Sequence, residues 1–243
     1  MEIIKDIVYG TEAPESQVLD LYLPDDAQAD LFIYFHGGGL TGGDKSCKLV
    51  DNVFARGKAV ISANYRMYPK AAFPDFLEDA AMVVAWAKEH MKEYKKINKI
   101  FVGGSSAGAW ITAMLALDPQ YLAKHGIPTT DINGYIIDSA QTTTHFNVLR
   151  ERGLDTKRIM VDDAAPVYFV NENTVFPNMF IIVSDDDMPC RLEQNLMFVK
   201  TLEMFGCPEE KRIYKLMEGF KHCKYDGREE FADMLCDYMT ATN

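Results

Sequence analysis

No run in these 243 residues approaches the roughly 20 apolar residues that a membrane-spanning helix needs. The opening stretch, Met1-Glu2-Ile3-Ile4-Lys5-Asp6, breaks into charge before the apolar core of a signal peptide could form, so a cytoplasmic location is the expectation. Basic residues are also short: 25 Lys and Arg face 36 Asp and Glu, a net charge of -11, which opposes neutralisation of nucleic-acid phosphates and offers nothing to an anionic membrane surface. The five cysteines, Cys47, Cys190, Cys207, Cys223 and Cys236, are odd in number and lack metal-type spacing, so they read as reduced thiols. No metal site, internal repeat or low-complexity tract is apparent. What is present is a 48% hydrophobic content, enough for a full core in one domain over residues 1–243.

Short β-rich runs alternate with helical ones, the pattern of an α/β chain with a mostly parallel sheet covered on both faces. Eight strands are predicted near residues 2–9, 17–23, 30–36, 58–64, 99–104, 133–138, 178–184 and 211–217. The first pair reads as antiparallel with one wetter face. Runs such as Leu31-Phe32-Ile33-Tyr34-Phe35 and Phe180-Ile181-Ile182-Val183 are apolar on both parities and belong at the sheet centre. The clearest helix spans about 74–95, where Leu77, Ala80, Ala81, Val84, Ala87 and Met91 recur at three- and four-residue steps. Others fit 47–55, 106–117, 191–205 and 229–238. One connection, 141–177, exceeds the roughly 12–15 residues that a compact domain leaves structureless, and is predicted to be a small lid-like insertion.

Two glycine-flanked segments follow apolar strands, and they carry the chemistry. In Gly104-Ser105-Ser106-Ala107-Gly108, Ser106 sits between a strand and a helix, the context in which a sharp turn exposes a serine nucleophile. Composition alone puts such a pentapeptide in about 3% of similar chains, so its placement between strand and helix, not its mere occurrence, is the signal. Ser105 lies before the apex and reads as structural. Ala107 N–H, at the helix start, points where an oxyanion would form. In His36-Gly37-Gly38-Gly39, successive glycines let the backbone present further N–H donors, assigned to Gly38 and Gly39, while His36 orients the loop.

Together with Asn64-Tyr65-Arg66-Met67-Tyr68-Pro69 and Phe73-Pro74, these segments resemble the α/β-hydrolase fold, in particular the esterase/lipase branch related to hormone-sensitive lipase. The likeness runs from the first strand pair to the last helix. Asn64 and Ser105 stand where that family usually has Asp, and neither change removes a catalytic group. Only 35 residues precede His36, too few for the helical cap many members carry, so the site is expected to be open. The resemblance implies an acid after the seventh strand and a histidine after the eighth. The family's spacing selects Asp187, with Asp186 as the alternative, and His222 as general base.

The expected activity is that of a serine hydrolase cleaving small carboxylic esters through an acyl-enzyme, with short acyl chains such as acetyl, or feruloyl esters of carbohydrates. Ser106, Asp187 and His222 would be catalytic, and Gly38, Gly39 and Ala107 would form the oxyanion hole. No cofactor or metal is called for, and the partner is a small-molecule ester rather than nucleic acid or membrane. A peptidase or arylformamidase on the same fold is one rival, and a non-catalytic ligand-binding member is another. Outside this set, His145 is the only other histidine placed to touch substrate. His90 is expected in solvent, and Trp110 and the Tyr168-Phe169 pair in the core.

Overall fold

A computed structural model describes residues 1–242. Its eight strands are β1 (Glu2–Val8), β2 (Val18–Leu23), β3 (Gln28–Phe35), β4 (Ala59–Ala63), β5 (Lys96–Ser105), β6 (Gly134–Asp138), β7 (Met179–Asp186) and β8 (Arg212–Lys221). They form one sheet in the order β1-β2-β4-β3-β5-β6-β7-β8. Pairing is antiparallel for β1–β2 and β2–β4 and parallel from β4 onward. The helices are α1 (Lys48–Phe54), α2 (Asp75–Tyr94), α3 (Ala107–Leu117), α4 (Gln120–Ala123), α5 (Phe146–Glu151), α6 (Arg191–Met204) and α7 (Glu229–Ala241). This is the α/β-hydrolase fold.

Apolar residues on both parities of the central strands are explained by two cores. Leu31, Ile33 and Phe35 of β3 join one cluster with α2, α3 and α6, while Phe32 and Tyr34 face a second with α1 and α7. The edge strand β1 is mostly exposed, as a half-wetted antiparallel start requires. Helix α3 is buried around its whole circumference, so it is fixed against the sheet and places its first residue rigidly. Asp79 is the charged exception on the buried face of α2. Both its oxygens take hydrogen bonds from Arg66 at 2.7–3.0 Å, and Gln17 adds another at 2.8 Å, so the buried charge is paired.

Two departures from the sequence reading bear on the site. Strands β7 and β8 continue past their expected ends to Asp186 and Lys221, which pair across the sheet edge after a register shift. The loops that carry Asp187 and His222 therefore leave from hydrogen-bonded backbone. The 141–177 connection is not structureless either: it contains α5 and a 3-10 turn over Pro166–Phe169. Thr142 donates to Gln194 O of α6 at 3.0 Å, and Trp110 Nε1–H of α3 donates to Ala164 O at 3.1 Å. Trp110 is fully buried, whereas Tyr168 is 55% exposed, because its short turn lies on the outside of the molecule; the core assignment of Tyr168 is corrected. All five cysteines are free, and no helix among the described residues is long and apolar enough to cross a membrane.

Candidate active site

Ser106 occupies the turn between β5 and α3 with φ 58° and ψ -113°, a backbone conformation unfavourable for any residue with a side chain. The turn is held from both sides: Ser106 N–H donates to Asp138 O at 2.8 Å, and Trp110 N–H donates to Ser106 O at 3.0 Å. The flanking glycines are demanded by close approach. A Cβ on Gly108 would lie 1.9 Å from Phe35 O, and one on Gly104 would lie 2.5 Å from the Gly108 carbonyl carbon.

His222 follows the last residue of β8. Its Nε2 lies 2.8 Å from Ser106 Oγ and its Nδ1 lies 2.5 Å from Asp187 Oδ1. The Asp187 side chain is 1% exposed. Its Oδ1 also accepts the Met188 N–H at 2.6 Å, and its Oδ2 accepts the hydroxyls of Ser139 at 2.8 Å and Ser184 at 2.9 Å. Burial pushes this carboxyl up, but the hydrogen bond and charge of His222, with the Met188 and Ser139 donors, outweigh it and hold the group at about 2. Asp186, the alternative acid, is exposed on β7. Ser139 escaped the sequence reading, and so did the hydrogen bond that Ser184, the small residue three positions before Asp187, gives to the acid. The signal for Ser139 was position alone, a hydroxyl just past the end of β6, where ligand-facing groups collect in an open α/β sheet.

The glycine loop after β3 is built around His36. The ring stacks on Tyr65 at 4.6 Å and 16°, Nδ1–H donates to Gly37 O at 2.7 Å, and the Tyr65 hydroxyl donates to His36 O at 2.8 Å. Burial lowers the His36 pKa, so the ring is a neutral brace. Gly38 has φ 118°, and a Cβ there would meet Gly42 O at 2.0 Å. Among the described residues, the N–H groups of Gly38, Gly39 and Ala107 have no acceptor within the protein.

Gly38, Gly39, Ser106 and His222 line a cavity of about 480 Å³, with the part-exposed Phe146 and exposed Arg150 and Met188 also in its wall and Tyr34 and Ser105 buried there. Ser105 Oγ accepts from Tyr34 OH at 3.4 Å, so it is engaged away from the imidazole. His145 does not line this cavity, which corrects its expected contact with substrate. It is 2% exposed, its Nδ1 caps α5 by accepting Asn147 N–H at 3.2 Å, and its ring packs on Trp110 and Phe146. Cys223 does line the cavity, but burial pushes its thiol well up, so it is no thiolate nucleophile.

A second carboxylate pair, unforeseen in the sequence, lies beneath the site. Asp138 Oδ1 accepts Tyr225 OH at 2.5 Å, while Asp138 Oδ2 and Asp226 Oδ1 are buried and take no donor. With Cys223 Sγ these carboxylates form the one cluster of metal-ligand type among the described residues, its ligand atoms within 4.8 Å of one another. Two carboxylates so close do not both ionise, and one proton between them satisfies both orphan oxygens. Burial, the charge of Asp138 and the Asp138 hydrogen bond push Asp226 up to about 9. The folded state thus holds a proton that the unfolded chain releases above its ordinary carboxyl value near 3.8, so this pair costs stability progressively from about pH 4 to pH 9. Asp226→Asn keeps a donor for Asp138 without the ionisable group. It is expected to raise thermal stability clearly at pH 8.5 and much less at pH 4.5. Melting curves at the two pH values check this, and a loss at pH 8.5 would contradict the shared proton.

The family model BD-FAE matches residues 19–127. Esterase LipI of Mycobacterium tuberculosis is 34% identical over 99 residues, covering 38% of this chain and 30% of the relative. Esterase LipC of the same organism is 26% identical over 221 residues, covering 81% and 54%. The chain thus spans between 30% and 54% of the length of these curated relatives. A solved structure described as a truncated form of a carbohydrate esterase from gut microbiota superposes with a TM-score of 0.78 at 18% identity, over 99% of this chain and 97% of that one. Sheet order and nearly complete superposition agree: the chain has the α/β-hydrolase fold, and over part of its length its sequence is similar to esterases.

Proposed function

We propose that this protein is a serine hydrolase of small carboxylic esters, working through an acyl-enzyme. The observation that supports this most is the continuous hydrogen-bonded line from Ser106 Oγ through the His222 ring to Asp187. His222 Nε2 takes the Ser106 proton as Oγ attacks the acyl carbon. The oxyanion is held by the free N–H groups of Gly38, Gly39 and Ala107, helped by the positive end of α3. The imidazolium then protonates the departing alcohol, and water, deprotonated by the same ring, cleaves the acyl-enzyme. Asp187 keeps Nδ1 protonated and stabilises the imidazolium. No step asks for a metal or organic cofactor. The segment 141–177 serves as one wall of the site through Phe146 and Arg150.

A cavity of about 480 Å³ favours short acyl groups, and a carbohydrate ester, acetyl or feruloyl, accords with the likeness to a carbohydrate esterase. The expected results are stoichiometric labelling of Ser106 by a fluorophosphonate probe, and turnover of p-nitrophenyl acetate well above that of the octanoate, an anilide or a formanilide. Failure to label would favour a ligand-binding member, and faster anilide or formanilide turnover would favour a peptidase or arylformamidase. A cytoplasmic setting remains part of the proposal, consistent with five free thiols.

A further inference from the structure

The catalytic cavity shares Phe146 and Met188 as walls with an adjoining second cavity of about 370 Å³. For a chain of net charge -11, this groove is unexpectedly cationic. Arg150 stands on the outer side of the first cavity, and Lys157 and Arg158 line the second, all three exposed. No acidic residue lines the second cavity. Among the described residues, none of the three cations has a carboxylate within 4.0 Å; Arg150 donates instead to Asn147 Oδ1 at 3.1 Å.

None of the acids of the same segment forms an ion pair with these three cations. Asp162 and Asp163 both pair with Arg152, at 2.7 and 3.1 Å. Glu151 accepts from Phe73 N–H and Asn147 at 2.9 Å each, and Asp155 accepts the Lys157 N–H at 3.0 Å. A fourth cation, Arg191, is 4% exposed in the wall of the second cavity and donates to Ser139 O at 2.5 Å. Three cations without a carboxylate partner and a buried guanidinium stand beside a cavity with no acid in its wall, and a low-dielectric wall strengthens their field.

We infer that the half of the substrate lying in this groove is anionic, carrying carboxylate or phosphate oxygens beyond the ester. This rests on the hydrolase reading, because it takes the groove as the continuation of the ester site. Exposed Ile159, with Phe146 and Met188, supplies apolar faces for the uncharged parts of the same ligand.

The test separates binding from catalysis. Calorimetry at low salt would compare trigalacturonate as the carboxylate probe, adenosine 3′,5′-bisphosphate as the phosphate probe and xylotriose as the neutral control. At least one anion is expected to bind about tenfold or more tightly than xylotriose, from about three favourable contacts of modest individual size. That advantage should shrink severalfold in 0.5 M NaCl and in Lys157→Gln/Arg158→Gln, whose substituted side chains are exposed. Preference for one anion identifies the source of the charge. Equal binding of all three probes, or an anion advantage that neither salt nor the double variant reduces, would overturn the inference. Turnover of p-nitrophenyl acetate by the unaltered protein reports on the hydrolase reading separately, so the two can fail independently.

Discussion

Ser106→Ala is expected to lower kcat for p-nitrophenyl acetate by about five to six orders of magnitude, roughly 7–8 kcal/mol of transition-state stabilisation. The oxyanion donors and His222 would remain in place, so residual hydrolysis should exceed the uncatalysed rate, with water as nucleophile. Stability should hardly move, because the lost Oγ contact to His222 at 2.8 Å lies in an open cavity. A second variant sharpens the test. The residue sits at φ 58°, ψ -113°, a strain on the order of 1–3 kcal/mol for a side-chain-bearing residue. Ser106→Gly should therefore be as inactive as Ser106→Ala yet melt at a higher temperature, as glycine carries no such penalty. Steady-state kinetics and thermal melts decide both points. Retention of even a hundredth of the activity by either variant would mean that another group attacks the ester, and Ser105 is the nearest hydroxyl to examine.

The physical reason such a site can be read in advance is that its demands on the backbone are local. A serine at a positive φ, with Gly104 and Gly108 where the helix presses on the sheet, leaves a pentapeptide signature. The glycine loop after β3 leaves another, and alternation of apolar runs gave all eight strands in their observed sequence order. The illegible parts depend on tertiary approach. Ser139, just past β6, reaches Asp187 across 48 residues of chain, and Asp138 meets Asp226 across 88, as 226 less 138. No spacing rule brings such pairs together. His145 was misread because a histidine in a long connection looks exposed, whereas here the connection is packed and the ring caps α5. Charge was misleading in the same way: the total of -11 hid a cavity whose wall holds cations and no acid, while Asp162 and Asp163 of the same segment pair with Arg152.

The acid is the sharper question, since three consecutive aspartates follow Ser184. Asp187→Asn is expected to lower kcat by about four orders of magnitude, roughly 5–6 kcal/mol, with KM little changed. An amide facing His222 Nδ1 as a donor would leave the ring proton on Nε2, where it can no longer accept from Ser106. The same substitution should cost stability, in a definite pH window. A carboxyl held at about 2 against an ordinary 3.8 contributes stability that is fully present above about pH 5 and lost as pH falls through 2. The variant lacks that contribution, on the order of 2 kcal/mol, at neutral pH. It also leaves Ser139, Ser184 or the Met188 N–H with a poorer acceptor. Its melting temperature should thus fall below that of the unaltered protein at pH 7 and approach it near pH 2–3. Asp186→Asn, on an exposed side chain, should change neither kcat nor melting by comparable amounts. If the two variants exchanged phenotypes, the line from Ser106 through His222 would end on a different carboxylate from the one to which it is hydrogen-bonded here.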